Sequence, residues 1–159
     1  MSLPIPDCTR RAFVGTTVAA SATLALAACG DGSSAAPNNE PSAPPEPEGE
    51  ATIVATTREL PVGARLSVAA KRTRGDDTGK EAGFLLFRPT KESVLAYTAI
   101  CTHQGCAVTT KAPKGEDFYC PCHGSSFEPS DGKAMAGPAR DALERFAAEI
   151  NGEDVLIYV

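Results

Sequence analysis

The chain has 159 residues, with 20 acidic and 15 basic side chains and a net charge of −5, which leaves room for one domain plus extensions. From Ala51 to Val159 the balance is 13 basic to 14 acidic, and no basic patch is interleaved with aromatics, so a nucleic-acid surface is excluded. Two histidines and six cysteines are the scarce, chemically informative residues.

The first element in chain order is an address. Thr9-Arg10-Arg11-Ala12-Phe13-Val14 looks like a twin-arginine export signal, although Gly15 stands where such signals usually have Lys. A mildly apolar stretch follows to Ala28, interrupted by Gly15, Thr16, Thr17, Ser21 and Thr23. Low hydrophobicity suits that route, which exports proteins already folded. The stretch ends Leu26-Ala27-Ala28-Cys29-Gly30 and resembles a bacterial lipobox, with Cys29 lipidated as the new N-terminus. The alternative is an uncleaved helical anchor, for which the 17 residues from Ala12 to Ala28 are short and polar. The export signal is therefore placed at 1–28, and Cys8 would leave with it.

Residues 29–50 are rich in Pro, Glu, Ser and Gly, with five acidic and no basic side chains between Asp31 and Glu50. Such a composition predicts a disordered, semi-extended tether to the membrane, by lipid or by anchor.

Residues 51–159 read as short strands and turns. Phe84–Phe87 and Val94–Tyr97 are apolar runs joined by Pro89-Thr90-Lys91-Glu92, a hairpin signal. Lys71-Arg72-Thr73-Arg74 reads as a solvated basic loop, and Gly75, Gly79 and Gly83 as flexibility within a charged loop. Asp131-Gly132 marks a turn. Arg145–Ile150 alternates, with Phe146, Ala148 and Ile150 on one face; Asn151-Gly152 and the run Val155–Val159 complete a second hairpin. The expected fold is all-β, an antiparallel sandwich or barrel.

Both histidines fall in one bipartite constellation, Cys101-Thr102-His103-Gln104-Gly105-Cys106 and Cys120-Pro121-Cys122-His123-Gly124-Ser125. Each half offers a Cys and a His at metal-ligand spacing, plus one more Cys. The set would suit a [2Fe–2S] cluster held by two thiolates and two imidazoles, or a closed tetrahedral zinc site supporting a binding module. Two disulfides with incidental histidines is a third alternative.

From about Phe84 to Val159 the pattern resembles the Rieske iron–sulfur proteins, on C-T-H-x-G-C, C-P-C-H-G-S and a downstream Gly137-Pro138-Ala139. That resemblance implies an antiparallel barrel-like fold with a two-loop cluster-binding subdomain and one [2Fe–2S] cluster. It implies Cys101 and Cys120 on the inner iron, His103 and His123 on the outer iron, and Ser125 donating to a cluster sulfur. Replacing two thiolates by neutral imidazoles raises the potential from roughly −400 mV to about −150 to +300 mV. Free ring nitrogens would couple the electron to protons. The resemblance also implies a Cys106–Cys122 disulfide, as in the branch comprising the iron–sulfur subunits of cytochrome bc1 and b6f complexes, and hence an oxidising compartment.

Two positions depart from that branch. Phe127 stands where high-potential members have a Tyr that donates a second hydrogen bond, and Gln104 where bc1-type subunits have Leu at the exposed tip. The expected role is an extracytoplasmic, membrane-tethered one-electron carrier, with a cytochrome b/quinol site and a c-type cytochrome as partners. An arsenite-oxidase-like small subunit and a free-standing lipoprotein carrier are the alternatives.

Overall fold

A computed structural model describes residues 39–159 apart from 42 and 44; the twin-arginine pair, Cys8 and Cys29 lie outside the described residues. The described residues ahead of Thr52 carry no helix or strand. Among the described residues no helix is long and apolar enough to cross a membrane.

The expected all-β fold is what the chain forms. Six strands make one antiparallel sheet: β1 (Thr52–Thr56), β2 (Arg65–Lys71), β3 (Glu81–Phe87), β4 (Leu95–Thr98), β8 (Arg145–Asn151) and β9 (Asp154–Tyr158). Their order is β1-β9-β8-β4-β3-β2, and the two outer members lie against each other, so the sheet is nearly closed into a barrel. The remaining three, β5 (Phe118–Cys120), β6 (Ser125–Phe127) and β7 (Ala134–Ala136), form a separate small sheet.

Why Phe84-Leu85-Leu86 is a continuous apolar run follows from this arrangement. Successive side chains of a strand point to opposite faces. Phe84, Leu86 and, on the neighbouring strand, Ala96 point into the barrel, where they meet Leu60, Val155 and Ile157. Leu85 and Tyr97 point outward and are covered by the small lobe, with Phe118, Phe127 and Leu143. Strands buried on both faces lose the hydrophobic–polar alternation. Phe146, Ala148 and Ile150 join the barrel core, as their spacing suggests.

Three details differ from the sequence reading. Gly83 is not in a flexible loop; it sits in β3 opposite Ala69, because the β2–β3 hairpin runs three residues further back than the apolar run shows. Lys71 ends β2, and Arg72 is largely covered, its guanidinium 5.2 Å above the Phe146 ring and 3.7 Å from Glu144. The basic run is thus partly packing surface. In the last hairpin Asn151 pairs with Asp154, so the turn residues are Gly152 and Glu153, one position later than expected.

The end of the barrel that carries the 57–60 and 90–91 loops is tied by a buried cation. Arg88 donates to the carbonyls of Thr57, Leu60, Thr90 and Lys91 at 3.0–3.2 Å. Backbone acceptors without strand partners are satisfied in this way, and the charge is solvated by their dipoles.

Candidate metal centre

Two loops of the small lobe carry the Cys–His constellation, and they are built alike. In the first, the Gly105 N–H donates to the Cys101 carbonyl at 2.8 Å; in the second, the Gly124 N–H donates to the Cys120 carbonyl at 3.1 Å. Both glycines have φ +76, the left-handed value that lets a single turn close and reverse at once. The repeated Gly four residues after each Cys is therefore a geometric requirement. The first loop rides on a narrow hairpin, with an Ile100–Ala107 bridge and with Thr109 and Tyr119 exchanging backbone hydrogen bonds at 2.8 Å.

This construction brings all six motif side chains to one end. Cys106 and Cys122 are disulfide-bonded, with Cα atoms 6.5 Å apart, inside the range such a bond needs. The expected pairing is the observed one. The Sγ atoms of Cys106, Cys120 and Cys122 lie within 4.8 Å of one another, but two of them are spent in that bond. Cys101 and Cys120 are left as free, buried thiols. The rings of His103 and His123 meet edge to face, with centroids 4.8 Å apart; His123 is exposed and His103 half-buried. Gln104 is exposed beside them.

The electrostatics of the pair are those of a site made for positive charge. Burial pushes the Cys101 thiol above its ordinary range. The His103 backbone N–H, donating to its sulfur, opposes this; the adjacent Cys120 thiol adds to it; and the Ser125 hydroxyl opposes it. A thiol buried as Cys101 is gives up its proton readily only where a cation neutralises the charge. The Nδ1 atom of His103 is buried with no hydrogen-bond partner among the described residues. A buried imidazole nitrogen without a partner, on a loop tied by the disulfide to one that carries a second free thiol and a second imidazole, offers the donor set of an iron–sulfur site, so the residues present fit that group.

A third segment, 137–141, locks the two loops together. An added Cβ at Gly137 would lie 2.5 Å from the Ser125 Cα and 2.6 Å from its N, so this glycine lets one backbone rest directly on another. Two residues on, the Ala139 N–H donates to Ser125 Oγ at 3.1 Å, which leaves the Ser125 proton free for the Cys101 sulfur. The Thr102 hydroxyl donates to the Asp141 carbonyl at 2.8 Å. Pro138 itself is exposed. Sequence reasoning named the Gly-Pro-Ala but missed Thr102 and the close approach at Gly137. The signal for the former is a Thr between two donor residues; for the latter there is none short of the fold.

Residues 50–147, more than half of the chain, match the family model of the Rieske [2Fe-2S] domain. A cytochrome bc1 complex Rieske iron-sulfur subunit of Streptomyces lividans is 38% identical over 66 residues, covering 41% of this chain and 39% of that one. A cytochrome b6-f complex iron-sulfur subunit of Synechococcus sp. (strain JA-3-3Ab) is 47% identical over 58 residues, covering 36% of this chain and 32% of its own length. These matches span well under half of each relative. Among solved structures, the plasma membrane Rieske protein of the cyanobacterium Synechocystis PCC 6803 superposes with a TM-score of 0.53 at 27% identity, over 68% of this chain and 99% of the other. On the family match, the fold and the paired Cys–His loops, the chain belongs to the Rieske [2Fe-2S] domain family, distantly related to the bc1 and b6f subunits, and its cofactor is a [2Fe–2S] cluster.

Proposed function

We propose that Cys101 and Cys120 hold one iron through their thiolates, that His103 and His123 hold the other, and that the protein is a one-electron carrier. The observation that carries this reading is the convergence of two free buried thiols with two facing imidazoles, one of which has an orphaned Nδ1, while the other two cysteines are consumed in a disulfide. When bound, the cluster supplies a single-electron couple whose potential is raised by the histidine ligands. The chain's own residues shape that couple. The Ser125 hydroxyl faces the Cys101 sulfur, the Gly105 and Gly124 turns aim the ligands, and the Phe118, Phe127 and Leu143 side chains exclude water from the inner side. The exposed His123 makes this end the electron port.

The test is spectroscopic. Purified protein is expected to be reddish-brown, with two irons per chain and, on reduction, an EPR signal averaging well below the free-electron g value. Cys120→Ser should abolish it. A colourless protein holding one zinc would sink the reading.

In the proposed domain plan, residues 1–28 are a twin-arginine export signal, 29–50 a tether and 51–159 the cluster domain. The domain is most like the iron–sulfur subunit of a quinol–cytochrome c reductase, at the outer face of a bacterial membrane. A quinol at a cytochrome b would be the donor and a c-type cytochrome the acceptor. The disulfide supports the oxidising side, and the Synechocystis likeness supports a membrane setting. Mass spectrometry of the membrane fraction should find Cys29 diacylated; an intact Met1 or Ser2 terminus would contradict this. One observation favours a second reading, a carrier for another oxidoreductase or a free-standing lipoprotein: the port presents the polar, exposed Gln104 in place of an apolar contact. Quinol-dependent reduction in native membranes separates the two.

A further inference from the structure

The Pro-rich stretch meets the folded domain well before β1 begins. Asn39 turns its side-chain amide onto β7: its Nδ2 donates to the Ala134 carbonyl at 3.1 Å, and its Oδ1 accepts from the Ala134 N–H at 2.8 Å. The other edge of β7 is paired with β6, so Ala134 offers these groups on the open edge of the small sheet. A primary amide sets a donor N–H beside an acceptor carbonyl and so reads an exposed backbone edge as a neighbouring strand would. Asn39 is half-buried in a cleft with Ala134, Met135, Gly137 and Arg140, while the next residue, Glu40, lines the adjoining cleft with Thr102 and Asp141. The chain thus passes over the segment that locks the two cluster loops. Nearer β1, Glu48 meets Arg74 at 2.8 Å.

We propose that Asn39 is a latch that docks the tether on the open edge of β7, so that the tether's free length ends at Asn39 instead of at Ala51. The contacts at Asn39 and Glu48, two hydrogen bonds and one exposed ion pair, are each modest. They oppose the entropy of a chain whose composition otherwise favours disorder. Loss of the two Asn39 hydrogen bonds is what would let the stretch lift from β7. Release frees the twelve residues from Asn39 to Glu50, which at about 3.1 Å each in an extended proline-rich chain add up to about 37 Å of reach. The latch sets how far the domain stands from whatever holds its N-terminal segment. This rests on the proposed tether and not on the electron-carrier reading.

Amide hydrogen exchange on the full-length protein tests it, with cleavage after Glu48 and Glu50 by a glutamate-specific protease as a second readout. Asn39→Ala should speed exchange at the Ala134 N–H at least tenfold and raise cleavage by a similar factor, with β8 and β9 amides unchanged. Asn39→Asp keeps the acceptor but sets a carboxylate oxygen against the Ala134 carbonyl, so at neutral pH it should release the tether as Ala does. Equal exchange and equal cleavage in all three proteins would overturn the latch. So would acceleration of β8 and β9 by the same factor as Ala134, since Asn39 would then be part of the fold and not a latch upon it.

Discussion

Inside the barrel the buried cluster is aliphatic and aromatic, from Leu60 and Phe84 to Val155 and Ile157, and none of its members titrates; the small lobe buries Tyr97, Cys101 and Cys120 among Phe118, Phe127 and Leu143. The barrel strands run to seven residues and pair along most of their length, whereas β5, β6 and β7 have three residues each. Apolar burial in a nearly closed sheet is enough to hold the first region. Strands of three residues are at the short end of the usual range, so the small sheet buries less per strand. The lobe adds cross-links to its apolar cluster: the disulfide and the 137–141 segment. The cysteine site lies in the region with the shorter strands, where sulfur is buried in place of hydrocarbon.

The most damaging way to break that contrast is at Gly137. A valine there meets the Ser125 backbone at sub-contact distance and adopts φ +83 only under strain. The segment must lift away, taking the Ala139 N–H from Ser125 Oγ. Gly137→Val should therefore lower iron per chain at least tenfold while far-UV circular dichroism still reports the barrel. Full iron content in that variant would show that the segment does not hold the loops.

Next in size is the disulfide. The double variant Cys106→Ser, Cys122→Ser opens a loop spanning a sequence separation of 16. In the chain-entropy model this costs about 3 kcal/mol. The loss should appear in the lobe, as exchange on the order of 100-fold faster at the Gly105 and Gly124 amides, and not in β8 or β9. Uniform acceleration throughout the domain would mean that the two regions unfold as one.

How much of this was legible depended on whether a feature was local. The two Cys–His loops could be read because Cys, His and Gly recur at short spacing, and a metal site's donors announce themselves by type. The β3–β4 hairpin could be read because its turn chemistry is local. The third arm of the site could not: Thr102 to Asp141 and Gly137 to Ser125 are contacts between distant positions, made by a hydroxyl and by the lack of a Cβ. Gly83 reads as a loop residue for a related reason, since a glycine in a strand leaves no apolar mark and only the partner Ala69 reveals the pairing. Asn39 in a Pro-rich stretch looks like any polar linker residue until the edge of β7 is seen beside it.

A smaller effect sharpens the contrast in pH. Tyr97 is fully buried and its hydroxyl has no hydrogen-bond partner among the described residues. Burial pushes its pKa up to about 12, with the Arg145 charge opposing and Asp131 and Glu128 assisting. The folded state thus keeps this proton where the unfolded chain, titrating at about 10, gives it up. The contribution is intact below pH 10 and is lost as pH rises toward 12, by about 2 to 3 kcal/mol in all. Urea unfolding at pH 9 and pH 11.5 should show this loss in the wild type and its absence in Tyr97→Phe. At neutral pH that variant should be no less stable, since it removes only an unpaired hydroxyl. Equal pH dependence in the two proteins would remove Tyr97 from the account.

The finest adjustment concerns the cluster's potential. Phe127 is fully buried, in the same cluster of side chains as Cys101 and Cys120, and offers no donor there. Ser125 is then the side-chain donor facing the Cys101 sulfur. A hydrogen bond to a sulfur favours the more negative, reduced state and so raises the potential. Phe127→Tyr adds one hydroxyl to a dry surrounding in which a donor must find an acceptor or lose stability, and the sulfurs are the soft acceptors within that cluster. Protein-film voltammetry should therefore record a higher midpoint potential for the variant, while its iron content and EPR line shape stay close to those of the wild type. An unchanged or lower potential would mean that the new hydroxyl faces the lobe's other side, and that Phe127 is there for packing alone.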